Sequence, residues 1–291
     1  MKKIFILLLS FINIIFLNNI NTIIKVSTNN IIYNLNEEES SFIIKNNIDY
    51  NNIKIYLKYD NFNINDYFKL EEARKDYNLT HLGALNFLKY PSYFDEYKIT
   101  YPSPLKQTPL VLVNKCFYLD KSYSPNNLTP IKSYNVLYID RKNETMMVEN
   151  IVMDNYLLFF NEAVKNNIEL IIYSAYRSYD KQSYLYYTVN KENNKVSAKP
   201  GFSEHQTGYS IDISDKSCGL THHLEHSKTY KYIYENCYKY GFIIRYPKNK
   251  EEITKYSFEP WHLRYVGIPH SQIIYEKNLT LEEYIINYFS L

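Results

Sequence analysis

Two hydrophobic periods alternate along the second half of the chain. Over Asp154–Asn166, DNYLLFFNEAVKN, apolar residues recur at helical spacing; IELIIYSAYRS then forms a β-branched, apolar run ending near Arg177, and YDKQSYLYYTVNKEN returns to a helical period. The pattern predicts helix, strand, helix. Farther on, Tyr209–Ile213 alternates as a strand does, Tyr230–Tyr240 reads as helical, GFIIRYP as a short strand stopped by Pro247, and WHLRYVG as another strand. Thr280-Leu-Glu-Glu283 has the form of a capping box and starts a C-terminal helix through Phe289. Helices mixed with short strands, without a regular βαβ alternation, predict an α+β fold.

The first half is more polar. Residues 27–100 contain two short helical patterns, NDYFKLEEARKDYN and LGALNFLKY, and no reactive constellation, so they read as a small N-terminal accessory region. YPSPLKQTP, with three prolines, marks a boundary. The main domain is expected over residues 110–291, entered through LVLVNKCFYLDKSYSPNNLTPI, strand-like at first and then rich in turns. Ahead of both regions, Lys2 and Lys3 precede the apolar run IFILLLSFINIIFL, so residues 1–26 read as a signal peptide or a retained membrane anchor. Both alternatives predict an exported protein, secreted or anchored to the outer face of the cytoplasmic membrane, with membrane association only through that segment.

Composition narrows the function classes. Lys and Arg total 33 against 31 Asp and Glu, and a net charge of +2 gives no electrostatic case for nucleic acid as a partner. With 33 tyrosines and a comparable excess of asparagine, single residues of either type and the N-x-S/T sequons carry little information. Three cysteines leave an odd count and specify no disulfide. Cys218, His222 and His226 lie four apart and would share one face of a helix, but they lack a fourth ligand and Gly219 weakens the helix; a solvated loop is the simpler reading. Nothing in the sequence indicates the oligomeric state.

The chemistry concentrates in PGFSEHQTGYSIDI, Pro200–Ile213. Hydrolytic zinc sites take three protein ligands from His and carboxylate and leave a position open for water. His205 on a loop and Asp212 on the following strand can return to one point if Gly208 turns the backbone sharply. A third ligand must come from a distance, and His262 is the candidate. Glu259 precedes Pro260 and is biased toward extended backbone, so it reaches the same pocket only if the chain kinks there. The residues alone leave open which carboxylate binds metal and which moves a proton. Two isolated core histidines are the plainer reading, but two separate polar clusters argue for a metal.

SEHQTGYSID, Ser203–Asp212, resembles the S-x-H-x-x-G-x-A-x-D signature of the VanY-type zinc D-alanyl-D-alanine carboxypeptidases, and EPWH, Glu259–His262, resembles their second signature. SAYRSYDKQ resembles the segment that supplies their substrate-binding arginine and glutamine, and LVNK with YSPNNL resembles the opening of their catalytic domain. The likeness runs in order from Val111 to Val266, with Ser210 standing where the family usually has Ala. It implies a hedgehog/DD-peptidase-like fold, a small antiparallel sheet flanked by helices. It further implies that His205, Asp212 and His262 hold Zn²⁺, that Glu259 is the general base, that Arg177 steadies the oxyanion, and that Gln182 and Ser203 contact substrate. The implied reaction removes the C-terminal D-Ala from peptidoglycan stem peptides by attack of a metal-activated water. The alternatives are an L,D-carboxypeptidase or an endopeptidase with the same zinc site, and a cell-wall-binding module without activity.

Overall fold

The structure, a computed structural model, describes residues 24–28, 31–142, 144–190 and 197–291. The apolar run of the expected signal or anchor and the end of the helical segment after Asn190 lie outside these residues. Among the described residues, no helix is long and apolar enough to cross a membrane. Backbone packing divides the chain into two units, one ending at Leu88 and one spanning Lys89–Leu291.

The first unit pairs β1 (Ile24–Thr28) antiparallel with β2 (Ile31–Leu35) and continues into four helices: α1 (Glu37–Lys45), α2 (Tyr50–Ile53), α3 (Tyr67–Asp76) and α4 (His81–Lys89). A reciprocal capping box between Asn36 and Glu39 starts α1. Ile53, Tyr56, Tyr67, Leu70 and Leu85 form a small core, in which the Tyr56 hydroxyl donates to Glu71 at 2.8 Å.

The second unit is built on a five-stranded sheet whose strands, in spatial order, are β10 (Phe242–Ile244), β11 (His262–Tyr265), β9 (Ser210–Ser214), β8 (Ile171–Ser174) and β6 (Leu137–Tyr138). Two short pairs accompany it: β3 (Tyr101–Pro102) with β4 (Phe117–Tyr118), and β5 (Leu128–Pro130) with β7 (Met147–Glu149). In the main sheet β6 runs parallel to β8, while β9, β10 and β11 pair antiparallel. Side chains alternate across a strand, so β9 sends Ile211 and Ile213 to one face and Ser210, Asp212 and Ser214 to the other. Likewise β11 divides Leu263 and Tyr265 from His262 and Arg264.

Helix α5 (Asn150–Lys165) covers the apolar face. Its Val152, Met153, Tyr156, Phe159 and Ala163 share one fully buried cluster with Ile172, Ile211, Ile213, Phe242 and Leu263. The unit continues through α6 (Tyr179–Tyr184), α7 (Lys228–Asn236), α8 (Glu251–Thr254), α9 (Ile268–Glu276) and α10 (Leu281–Tyr288), the last opened by the expected capping box of Thr280 and Glu283.

The LVLV entry departs from the strand expectation. Leu110–Val113 pairs with no strand, the first pairing in the segment being at Phe117–Tyr118, and the Pro109 and Val111 carbonyls instead accept from the buried Arg264 guanidinium at 2.8 and 2.7 Å. A side chain has taken the place of a ladder partner.

Candidate metal centre

Register places two of the expected ligands side by side: His262 of β11 stands directly opposite Asp212 of β9, on the face away from α5. His205 arrives from the preceding 3₁₀ turn, Glu204–Thr207, which Gly208 ends in the left-handed region at φ 76°. A Cβ there would lie 3.0 Å from both Pro125 Cγ and Glu149 Cγ, so glycine answers both the conformation and the close approach. The Gly208 amide donates to His205 O, and Glu149 N donates to Gly208 O at 3.0 Å. These bonds fix the sharp return between His205 and Asp212.

The three side chains converge. One ligand atom from each of His205, Asp212 and His262 lies within 4.8 Å of the others, and this is the single group of its kind among the described residues. His205 Nε2 is 3.2 Å from Asp212 Oδ2, and His262 Nδ1 is 3.0 Å from Asp212 Oδ1. The far nitrogen of His205, Nδ1, lies 2.7 Å from the Ala175 carbonyl, which assigns the ring proton to Nδ1 and leaves Nε2 free to ligate.

All three are buried, and Asp212 Oδ1 has no hydrogen-bond partner among the described residues. A buried carboxylate set between two imidazoles, with one oxygen lacking a hydrogen bond, is a costly arrangement unless a cation sits among them. Two histidines and one carboxylate are the donor set that suits Zn²⁺ with a position left open. The residues therefore fit the metal.

The chain also kinks at the proline. His262 N donates to Glu259 O at 3.4 Å across Pro260 and Trp261, and this turn sets Glu259 Oε2 3.7 Å from His262 Nδ1. Burial pushes the Glu259 carboxyl up to about 7. Burial would also raise Asp212, but His205 beside it outweighs this and holds Asp212 well below the usual carboxylate range. His205 is pushed down by burial. Burial disfavours charge on His262 too, yet the facing Asp212 and Glu204 carry it up to about 9. These directions describe the protein without metal.

Arg177, Gln182 and Ser203 line the same cavity, of about 210 Å³. Arg177 N donates to His205 O at 3.1 Å, and its Nη1 donates to Gln182 Oε1 at 2.7 Å. The Gln182 amide is fully engaged, for its Nε2 donates to Ser197 Oγ at 3.0 Å and to Ala198 O at 2.6 Å. It props Arg177 and the Ser197–Ala198 segment. The Ser203 side chain has no hydrogen bond among the described residues and faces the cavity.

Trp261, inside the EPWH signature, lines the cavity together with Asn190, Leu220, Tyr246 and Tyr256; the two tyrosines carried no sequence signal in a chain so rich in tyrosine. Glu204 is the larger omission. It is buried beside His205 and bonded to two buried arginines, Arg245 and Arg264. The available signal was an arginine inside each of the apolar runs GFIIRYP and WHLRYVG, which calls for a buried counter-charge. The Cys218, His222 and His226 group forms no metal cluster; His222–His226 is a 3₁₀ turn, and all three cysteines are unpaired.

The chain is similar to several known proteins. Residues 145–268 match the profile of the family described as VanY, D-alanyl-D-alanine carboxypeptidase. The Bacillus subtilis protein YodJ, which carries a provisional carboxypeptidase name, is 40% identical over 231 residues, covering 74% of this chain and 81% of its own. The bifunctional D-Ala-D-Ala dipeptidase and D-Ala-D-Ala carboxypeptidase VanXYC of Enterococcus gallinarum is 34% identical over 184 residues, covering 60% of this chain and 92% of its own. Among solved structures, the LdcB LD-carboxypeptidase superposes with a TM-score of 0.56 at 40% identity, covering 61% of this chain and 86% of that one.

Proposed function

Because the chain belongs to the VanY family of D-alanyl-D-alanine carboxypeptidases, we propose that it is a zinc-dependent enzyme that removes the C-terminal D-alanine from peptidoglycan stem peptides. The observation that carries this reading is the meeting of His205, Asp212 and His262 beside a carboxylate, Glu259, whose affinity for a proton is poised near neutrality. His205 Nε2, a carboxylate oxygen of Asp212 and His262 Nδ1 would hold the ion. Bound there, Zn²⁺ acidifies water and polarises a carbonyl.

Glu259 is the group that takes the proton of the attacking water and returns it to the leaving amine. A carboxyl near 7 suits both transfers better than one near 4, because it both accepts and releases a proton at neutral pH. Arg177, held in place by Gln182, supplies fixed positive charge where negative charge develops on the scissile carbonyl. Gln182 thus acts through Arg177, while Ser203 is left to meet the substrate directly. The basic, apolar N-terminus supports an address outside the cytoplasmic membrane, where peptidoglycan lies.

Likeness to LdcB favours one second reading, an L,D-carboxypeptidase that acts on tetrapeptide stems with the same catalytic set. Incubation with purified pentapeptide and tetrapeptide stems, with and without chelator, separates the two. The proposal expects chelator-sensitive release of one D-alanine from the pentapeptide. Release from the tetrapeptide alone moves the assignment to the second reading, and release from neither contradicts both.

A further inference from the structure

His205 and His262 turn different nitrogens toward Asp212. His205 presents Nε2, with Nδ1 on a backbone carbonyl; His262 presents Nδ1, which leaves its Nε2 on the far side of the ring. That nitrogen is buried, has no hydrogen-bond partner among the described residues, and faces Glu204 Oε2 at 3.6 Å. Glu204 has no exposed side-chain surface. Its Oε1 accepts from Arg245 Nε and from Arg264 Nη1, both at 2.7 Å, so Oε2 remains for Ser210 Oγ at 3.3 Å and for the His262 ring.

Each arginine is anchored in turn. Arg245 Nη1 and Nη2 donate to the two oxygens of Glu282 at 2.8 and 2.5 Å, and Asn114 Nδ2 donates to Glu282 Oε1 at 3.1 Å. Arg264 is tied to the Pro109 and Val111 carbonyls. Two guanidinium groups and two carboxylates balance in charge, all with no side-chain exposure. A carboxylate gripped by two guanidinium groups is an acceptor only, so the His262 proton belongs on Nε2 and the Nδ1 lone pair on the side of the metal.

We propose that Glu204 is a positioning residue for His262, fixing the ring and its tautomer, and that the buried cluster behind it ties the metal centre to Asn114 and Glu282. Both of those residues lie outside the span matched by the family profile. The inference rests on the reading of His205, Asp212 and His262 as a zinc site.

The test compares two charge-balanced variants of the full chain, Glu204→Met/Arg264→Met and Glu204→Gln/Arg264→Met. Each loses one charge of each sign, so neither strands a buried ion, and they differ in whether residue 204 keeps an acceptor. Zn²⁺ affinity is read by competition with a chromophoric chelator, with circular dichroism and thermal melting of the metal-free proteins as the measure of folding. The expected result is a loss of affinity of about 10- to 100-fold in the methionine variant, partly restored in the glutamine variant, at similar metal-free melting temperatures. Equal affinities in the two variants would overturn the positioning role while leaving the zinc site standing. Should one variant fail to fold, Glu282→Gln, which leaves Glu204 in place, carries the test: a weaker Zn²⁺ affinity supports the link to Glu282, and native affinity overturns it. A native protein that takes up no Zn²⁺ overturns both this inference and the function it rests on.

Discussion

Replacing Arg245 by Met tests the buried charge cluster as a determinant of stability. The side chain has no exposed surface, and it is the bidentate partner of Glu282 and one of two arginines on Glu204. Methionine fills much of the same volume but leaves Glu282 with Asn114 Nδ2 as its remaining side-chain donor and no cation. Stripping one partner from a buried ion pair costs about 3–5 kcal/mol, because the other charge stays desolvated. At a urea slope of about 2 kcal/mol per M, that lowers the unfolding midpoint by roughly 2 M. The fluorescence of Trp261, the chain's one tryptophan, reports on the unit that contains the cluster. Adding Glu282→Met to Arg245→Met removes the stranded charge, so the double variant should recover about 2 kcal/mol relative to the sum of the two single losses. A single-variant loss under about 1 kcal/mol, or strict additivity in the double, would refute the view that these groups depend on one another.

Other substitutions probe the site itself. Gly208→Ala should cost about 2 kcal/mol, since the left-handed φ penalises a Cβ and that Cβ meets Pro125 and Glu149; a melting temperature within a degree of native would contradict this. Glu259→Gln should lower kcat on a stem peptide by about 10²–10⁴-fold while Zn²⁺ content by elemental analysis stays at the native level; a kcat within tenfold of native places the base elsewhere. In the metal-free protein His262 is raised from its ordinary value to about 9, so its contribution to stability is fully present below about pH 6.5 and disappears as pH rises through 9. Urea melts of the chelated protein should therefore show stability falling between pH 6.5 and 9, by an amount on the order of 3 kcal/mol, and the added stability from Zn²⁺ growing over the same window. Constant or rising stability of the chelated protein across that window contradicts the assignment.

Local pattern made much of the catalytic unit legible. Tyr209–Ile213 and WHLRYVG alternate because each strand buries one face against α5 and gives the other to polar side chains, so period alone identified β9 and β11 and the placement of Asp212 and His262 on them. The motif likeness supplied their partnership, which periodicity could not, since register between strands 50 residues apart is a tertiary property. The same limit hid Glu204. A glutamate one residue from a candidate ligand looks like a solvated side chain until folding brings Arg245, Arg264 and Glu282 to it from three other segments. At LVLV the propensity for a strand was real, but the chain found no strand to pair with and gave its carbonyls to Arg264 instead. The packing boundary at Leu88 also lies ahead of the proline-rich segment, because the residues from Lys89 onward bury Tyr93 against α10, where its hydroxyl donates to the Glu282 carbonyl at 3.0 Å.

The account as a whole rests on one divalent ion shared by residues 205, 212 and 262. Calorimetric titration of chelator-stripped native protein and of Asp212→Asn with Zn²⁺ tests that directly. One tight equivalent in the native protein, weakened at least about 100-fold in the variant, is the predicted result. Uptake of the same equivalent at native affinity by Asp212→Asn, or none by the native protein, contradicts it.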